Sequence, residues 1–486
     1  MRLSELLREV EFEGSIKNDF DIKFVTDDSR LVRPGALFVC IRHRSFDGHT
    51  AAAEALASGA AAVVTQERLG LENELNVADS RAAYARLCAA LCWHPERKLR
   101  MIGVTGTNGK TTVTTLIRNI LSDSGIKTLL TGTVCNRLGE ESLPSGLTTP
   151  KPPELYSLLS RAVLSGCEAC VAEASSQALA QGRLEGIAFD AAVFTNITRD
   201  HLDYHGTFEN YLAAKKKLFE HSEVSAVNLD DPRADEIIAA SSGKTVTFST
   251  VLDCADYTAK NISLLPERVS FELVSKGRIE HINFASPGLF SVSNAMAAAV
   301  CAINLGVDPR SAAQSLARSK GVCGRLERVE CGTPYSVIID YAHTPDGLEQ
   351  VLRALRPSCR GKLIVLFGCG GDRDKTKRPL MGAAACKYAD TVIVTSDNPR
   401  SEEPMKIIGD ILKGTDKKRC GLFIEEDRRR ATALALSLAK PGDTVLLAGK
   451  GHEKYQLICG EKLPLDERET VREILGLPHD TGRKKP

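Results

Sequence analysis

Short apolar runs along the chain alternate with stretches in which apolar residues recur every third or fourth position, the pattern of strand–helix units joined into largely parallel sheets. Three blocks follow from this rhythm. The first closes at a polar stretch, His94 to Lys98, which separates a helix-like segment, Ala82 to Cys92, from a strand-like one, Met101 to Thr105, and reads as a linker. The second carries predicted strands at Met101 to Thr105, Thr128 to Thr131, Cys170 to Glu173, Ala191 to Thr195 and Ala226 to Asn228. A β-like section from Thr245 to Ala285 and an Ala-rich helix, Ser293 to Leu305, complete it. The third begins near Val329 and repeats the alternation, with strands at Val337 to Asp340, Leu363 to Phe367, Thr391 to Thr395 and Thr444 to Ala448. The pattern predicts an α/β protein of three domains, 1–98, 99–328 and 329–486, the last doubly wound, with a disordered tail from Thr481 to Pro486.

Composition narrows the class. A chain of 486 residues with 43% hydrophobic residues can bury a core in each block, and 63 basic against 62 acidic side chains give no global field for a nucleic acid or an anionic membrane. The N-terminus has no apolar signal segment and no stretch is long and apolar enough to span a bilayer, so a cytoplasmic protein is expected. The 15 cysteines are an odd number without framework spacing, as suits a reducing compartment. The one CxxC, Cys167 and Cys170, has no second pair to complete a zinc site and reads as buried or half-buried thiols.

Candidate chemistry starts where the strand Met101 to Thr105 runs into Gly106-Thr-Asn-Gly109-Lys110-Thr111-Thr112 and then a helix, Thr112 to Ser122. Small residues let backbone N–H groups approach phosphate oxygens, and a helix N-terminus adds partial positive charge. Lys110 is placed to neutralise β- and γ-phosphate charge and Thr111 to ligate Mg²⁺. A full Walker pattern has Gly where Val104 stands, so the loop is the shorter GxxGKT form. The chain has no Asn-Lys-x-Asp guanine-reading element, so ATP is expected.

Glu173 ends a strand neighbouring that loop and is the leading second metal ligand. The polar cluster Asn196 to His205 follows another strand at its carboxyl end, where open α/β sheets bind ligands, and His201 within it is a candidate for a second metal. The run Lys215-Lys216-Lys217 in a helix predicted from Phe208 to Phe219 reads, by itself, as a solvated face.

Taken together, Gly106 to Thr112, Glu173-Ala-Ser-Ser176, Thr195 to Gly206 and Val337 to Asp346 closely resemble the Mur ligase family of peptidoglycan synthesis over almost the whole chain. Gly368 to Lys375 and Asp397-Asn398-Pro399-Arg400 resemble the members that add diaminopimelate. The resemblance implies a UDP-binding first domain, a central ATP-binding domain and a Rossmann-like C-terminal domain that brings the amino acid. It implies contacts to the uridine nucleotide from Ser29 and the His43 region. For the muramoyl-dipeptide it implies Thr148, Thr149, Ser175, Gln181 and Arg183. Asn294, Arg325 and Asp340 match its ATP positions, and Arg373, Asp397, Asn398, Pro399, Arg400, Gly449 and Glu453 its diaminopimelate pocket. Lys215 matches the lysine that the family carbamylates, completing a metal set of Thr111, Glu173, His201 and that carbamate. Gln177 stands where relatives often carry His, and Arg42 to Gly48 fits the uridine loop loosely.

The chemistry implied is phosphorylation of the D-glutamate side-chain carboxylate by ATP, then attack on the acyl phosphate by the diaminopimelate amine, with Lys110 and Mg²⁺ spreading the transferring charge. Arg400 is expected to bind the far carboxylate that lysine lacks, and Glu453 the ammonium beside it. The partners implied are these small molecules, acting on a monomer, with no nucleic acid and no membrane insertion. Three rival readings remain at this level: a folylpolyglutamate synthetase, a cyanophycin-synthetase-like ligase, and a module that hydrolyses ATP to change shape.

Overall fold

A computed structural model describes residues 1–43, 46–265, 267–319 and 321–478. The tail expected to be disordered lies outside the described residues, as do Arg44 and Ser45 of the expected uridine loop.

Strands gather into three main sheets. Phe24–Thr26, Ala36–Val39, Ala62–Thr65 and Glu74–Asn76 form a parallel sheet in chain order. The central sheet has 11 strands, with a parallel middle and antiparallel flanks: the hairpin Asn136–Leu138/Glu141–Leu143 on one side and Tyr257–Leu264, Val269–Ser275 and Arg278–Phe284 on the other. The β-like section expected from Thr245 is these three strands preceded by Lys244–Ser249. The third sheet has six strands, five of them parallel, with helices Pro345–Leu355, Lys377–Tyr388 and Pro404–Leu412 on one face and Arg428–Leu438 and Glu467–Ile474 on the other. It is therefore doubly wound. Sequence rhythm missed its exposed edge strand, Gly421–Ile424, and the hairpin Tyr455–Ile458/Glu461–Pro464, because neither has an apolar face that the core fully covers.

The expected linker is a correction. Pro95–Lys98 is a 3₁₀ turn packed on helix Pro152–Leu164, with Glu96 buried and accepting from His94 at 2.9 Å. Pro95 and Glu96 face inward while Arg97 and Lys98 stay exposed, and one continuous apolar core runs from Leu3 and Leu6 through Tyr84 and Leu87 to Leu155 and Phe194, joining the first sheet to one face of the central one.

The strand that feeds the glycine-rich loop, Arg100–Thr105, lies between Ala169–Glu173 and Phe189–Phe194, with Val104 opposite Glu173 and Thr105 opposite Phe194. Ile102 and Val104 are fully buried, as continuous apolar runs in a sheet covered on both faces must be. Equal register brings three loops, after Thr105, Glu173 and Phe194, to one level at the carboxyl edge of the sheet.

Candidate active site

The loop Gly106 to Gly109 can turn as it does only with glycine at both ends. Gly106 has φ +154° and a Cβ there would lie 1.9 Å from Thr195 Oγ1; Gly109 has φ +88° and a Cβ would lie 2.5 Å from Asn294 Oδ1. Helix Lys110–Asp123 begins at once, so its free N–H groups face the loop. Lys110 Nζ donates to the carbonyls of Gly106 (2.7 Å) and Thr107 (2.9 Å), folding the ammonium over its own loop. Burial pulls the Lys110 pKa below its ordinary value, against the pull of Glu173 and Asp200.

Beside it, Thr111 Oγ1 donates to Glu173 Oε2 at 3.0 Å and accepts from Arg325 Nη2 at 3.0 Å. Glu173 is pinned further by the backbone N–H of Thr133 (2.8 Å) and its hydroxyl (2.9 Å), and Thr149 Oγ1 donates to the Glu173 carbonyl at 2.6 Å. A fixed carboxylate next to a hydroxyl is an all-oxygen donor pair of the kind Mg²⁺ takes. Among the described residues no three His, Cys, Asp or Glu side chains gather into a metal cluster, so any such ion needs these oxygens together with ligand oxygens.

Two more groups of the expected metal set stand nearby. His201 has φ +53° and Nε2 3.5 Å from Asp200 Oδ2; burial lowers its pKa and keeps the ring neutral, with a lone pair to offer. Lys215 is the correction to the solvated-face reading of the lysine run. Helix Phe208–Lys216 turns Tyr211, Leu212 and Lys215 inward, so Lys215 is 1% exposed, its Nζ 4.6 Å from the Tyr211 ring centre, while Lys217 is exposed. Burial first, and Lys110 second, push the Lys215 pKa well below that of an ordinary lysine.

These residues form one wall of a cavity of about 940 Å³ between the central and C-terminal sheets. A second stretch of wall holds Thr148, Thr149, Ser175 and Arg183. The Thr133 and Thr148 hydroxyls lie 3.1 Å apart, and Arg183 is braced by the Thr149 carbonyl at 2.7 Å and by Gln181 Oε1, which takes two of its N–H groups. Gln181 itself stands behind the lining and donates to Tyr204 at 3.1 Å. Asn294, Arg325 and Asp340 face the same space. Arg325 stacks 4.7 Å over Tyr341, and Asp340 accepts from the Leu326 and Ala342 amides at 2.7 Å each; burial raises its pKa.

From the C-terminal sheet, Arg373 and Glu453 line the cavity, and Arg373 reaches across to Asp203 at 3.7 Å. Asp397, Asn398, Pro399, Arg400 and Gly449 lie just behind. Arg400, at φ +53°, donates to the Gly371 carbonyl at 2.7 Å. The Asp397 pKa is lowered although burial opposes it, because Lys450, Arg428 and His343 surround the carboxylate.

The sequence matches the family descriptions "Mur ligase family, catalytic domain" over residues 21–89, "Mur ligase middle domain" over 104–302 and "Mur ligase, glutamate ligase domain" over 324–451. It is 43% identical over 479 residues to the UDP-N-acetylmuramoyl-L-alanyl-D-glutamate--2,6-diaminopimelate ligase of Caldanaerobacter subterraneus subsp. tengcongensis, covering 98% of this chain and 99% of that one. The chain belongs to the Mur ligase family. The Clostridium tetani protein of the same name is 41% identical over 488 residues, 98% of this chain and 99% of its own. A solved structure bearing that ligase name superposes with TM-score 0.70 at 34% identity over 98% of this chain and 99% of the other. A Mycobacterium tuberculosis folylpolyglutamate synthase, at 17% identity and TM-score 0.63 over 82% of this chain and 95% of its own, shares the fold.

In this Mur ligase the two expected uridine residues stand apart from the cavity. Ser29, itself half-buried, opens an otherwise exposed 3₁₀ turn capped by Asp28. His43 lies 3.5 Å from Asp27, a buried carboxylate that also accepts from Lys151 (3.0 Å) and Tyr84 (3.2 Å) and so ties the first sheet to the central one. Sequence reasoning missed Tyr341, Asp346 and His452 in the cavity wall and Lys450 behind it. The Gly449-Lys-Gly-His-Glu453 turn directly after a buried strand was the signal that could have found the last two.

Proposed function

We propose that this chain joins meso-2,6-diaminopimelate to the D-glutamate of UDP-N-acetylmuramoyl-L-alanyl-D-glutamate, with ATP, in peptidoglycan synthesis. One observation carries the reading: a single cavity has Lys110 and Thr111 of a phosphate loop on one wall and Arg373 and Glu453 of the C-terminal sheet on another. A triphosphate and an amino acid can therefore meet across one carboxylate. The domains run 1–98 for the nucleotide sugar, 99–328 for ATP and 329–486 for the amino acid, and one chain supplies the whole site. The described residues include no helix long and apolar enough to cross a membrane, and the nucleotide substrates belong to the cytoplasm.

The cavity's geometry supports this division of labour. Gly106 to Thr112 hold the phosphates, with Asn294, Arg325 and Asp340 around the rest of the nucleotide. Thr148, Thr149, Ser175, Gln181 and Arg183 hold the muramoyl-dipeptide with its D-glutamate carboxylate toward Lys110, and Ser29 and His43 its uridine end. The carboxylate oxygen attacks the γ-phosphorus, the bond to ADP breaks, and an acyl phosphate forms; the free amine of diaminopimelate then attacks the acyl carbon and phosphate leaves. Thr111, Glu173, His201 and Lys215 are the residues to hold Mg²⁺, which when bound neutralises phosphate charge. Lys215 serves this role as a carbamate: its buried neutral amine adds CO₂ and releases a proton, so that the side chain ends in a carboxylate-like anion. Arg373, Asp397, Asn398, Pro399, Arg400, Gly449 and Glu453 shape the amino-acid pocket.

The test is phosphate release with ATP and the UDP-muramoyl-dipeptide, comparing meso-diaminopimelate with lysine. Release is expected only with both substrates present and to favour meso-diaminopimelate by about 10²-fold or more, because lysine leaves the Arg400 guanidinium unpaired. Equal use of lysine, or ATP turnover without either substrate, would defeat the reading.

A further inference from the structure

Lys450 lies in the turn after strand Thr444–Ala448 and has no solvent exposure. Its ammonium has three protons and faces three oxygens: Glu453 Oε2 at 2.7 Å, Asn398 Oδ1 at 2.8 Å and Asp397 Oδ1 at 3.4 Å. Asn398 Oδ1 also accepts from the Leu457 amide at 2.8 Å, so the amide oxygen is filled and cannot turn away. Its Nδ2 must then point at Glu453 Oε2, to which it donates at 2.9 Å. Glu453 Oε2 has two donors, while among the described residues Oε1 meets only the Tyr341 hydroxyl, at 3.4 Å, and Glu453 lines the cavity.

Asp397 and Glu453 share one ammonium, Lys450, and the Arg400 guanidinium lies in the same pocket. The neighbouring Arg428 is matched by Glu467 at 2.8 Å, and its remaining N–H groups go to the Ser396 and Ala448 carbonyls. Glu453 Oε1, with the long Tyr341 contact as its one partner among the described residues, is the carboxylate oxygen left to accept a donor from the cavity that Glu453 lines.

We infer that Lys450 is a positioning residue for amino-acid specificity, holding Asn398 and Glu453 so that Glu453 Oε1 receives the second, distal ammonium of a diamino-dicarboxylic acid. The inference rests on the amino-acid pocket proposed above and extends it. Arg400 selects for the distal carboxylate, and Lys450, through Glu453, selects for the distal amine.

The experiment compares meso-diaminopimelate with 2-aminopimelate, which lacks only the distal amine, by phosphate release from the full-length enzyme with ATP and UDP-muramoyl-dipeptide. The wild type is expected to prefer meso-diaminopimelate in kcat/KM by about 10²-fold or more. In Lys450→Met that preference should fall to about threefold or less, with the loss residing in the KM for meso-diaminopimelate and the KM values for ATP and the nucleotide sugar unmoved. Lys450→Gln, which keeps one donor for Asn398 Oδ1, is the second variant should the first not fold, with an intermediate preference expected. An unchanged preference overturns the inference, and so does an equal loss for both amino acids, which marks a scaffold role. A wild-type enzyme that does not use meso-diaminopimelate removes the pocket reading and this inference together, a result distinct from either.

Discussion

The side-chain amide of Asn108, in the phosphate loop, donates a 3.0 Å hydrogen bond to Asp346 at the start of helix Pro345–Leu355, 238 residues further along the chain. It joins the phosphate loop to the C-terminal domain in the wall of the cavity, which also holds the Arg325–Thr111 contact and Arg373. Asp346→Ala should raise the KM values for ATP and the amino acid together by about tenfold, since a hydrogen bond to a charged group contributes about 1.5–3 kcal/mol. Steady-state kinetics with each substrate varied in turn checks it; a change in one KM alone would show that the contact does not govern closure.

Gly370 guards Arg400. A Cβ on Gly370 would lie 2.8 Å from Arg400 Nη1, so Gly370→Ala must displace the guanidinium. Catalytic efficiency with meso-diaminopimelate should drop on the order of 10²-fold, the cost of a misplacement of about 1 Å, while nucleotide affinity stays as it was. Calorimetry with ADP alongside turnover separates the two.

Carbamate at Lys215 predicts dependence on dissolved CO₂. Turnover should fall in CO₂-depleted buffer and recover on adding bicarbonate, and Lys215→Arg, which places a cation there and cannot form the carbamate, should lose about 10²-fold or more in kcat. Turnover indifferent to bicarbonate would remove the carbamate.

Two cavity histidines make stability depend on acidity. His343 and His452 are held at about 4, below their ordinary 6.5, by burial in each case and then by cations: Lys377 at His343, and Arg325, Arg468 and Lys450 at His452. Below about pH 6.5 the unfolded chain takes up protons that the folded one refuses, so stability is full above that pH and is lost progressively down to about pH 4. The thermal midpoint should decline over that window, and His452→Phe should flatten the decline.

Much of the site was legible before any coordinates. Residues 106–112 are a local motif, and spacing alone puts two glycines, a lysine and a threonine where a phosphate needs them. Glu173 was legible because a strand ending in a carboxylate beside such a loop has one register to adopt. Lys215 was not legible from its own helix: three lysines in a row look solvated, and only the packing of Tyr211, Leu212 and Leu218 shows which of them turns inward. Resemblance pointed to it where periodicity did not.

The sequence by itself determined the strand–helix alternation, the phosphate loop and the types of residue available to each pocket, since period, turn chemistry and motif spacing act over a few residues. Only the tertiary structure decided that Asn108 meets Asp346, that Pro95 and Glu96 of the expected linker are buried, and that Lys450 gathers Asp397, Asn398 and Glu453. Those contacts join positions far apart in the chain. They depend on how sheets and loops pack, and no local pattern encodes the direction in which a buried charge finds its partner.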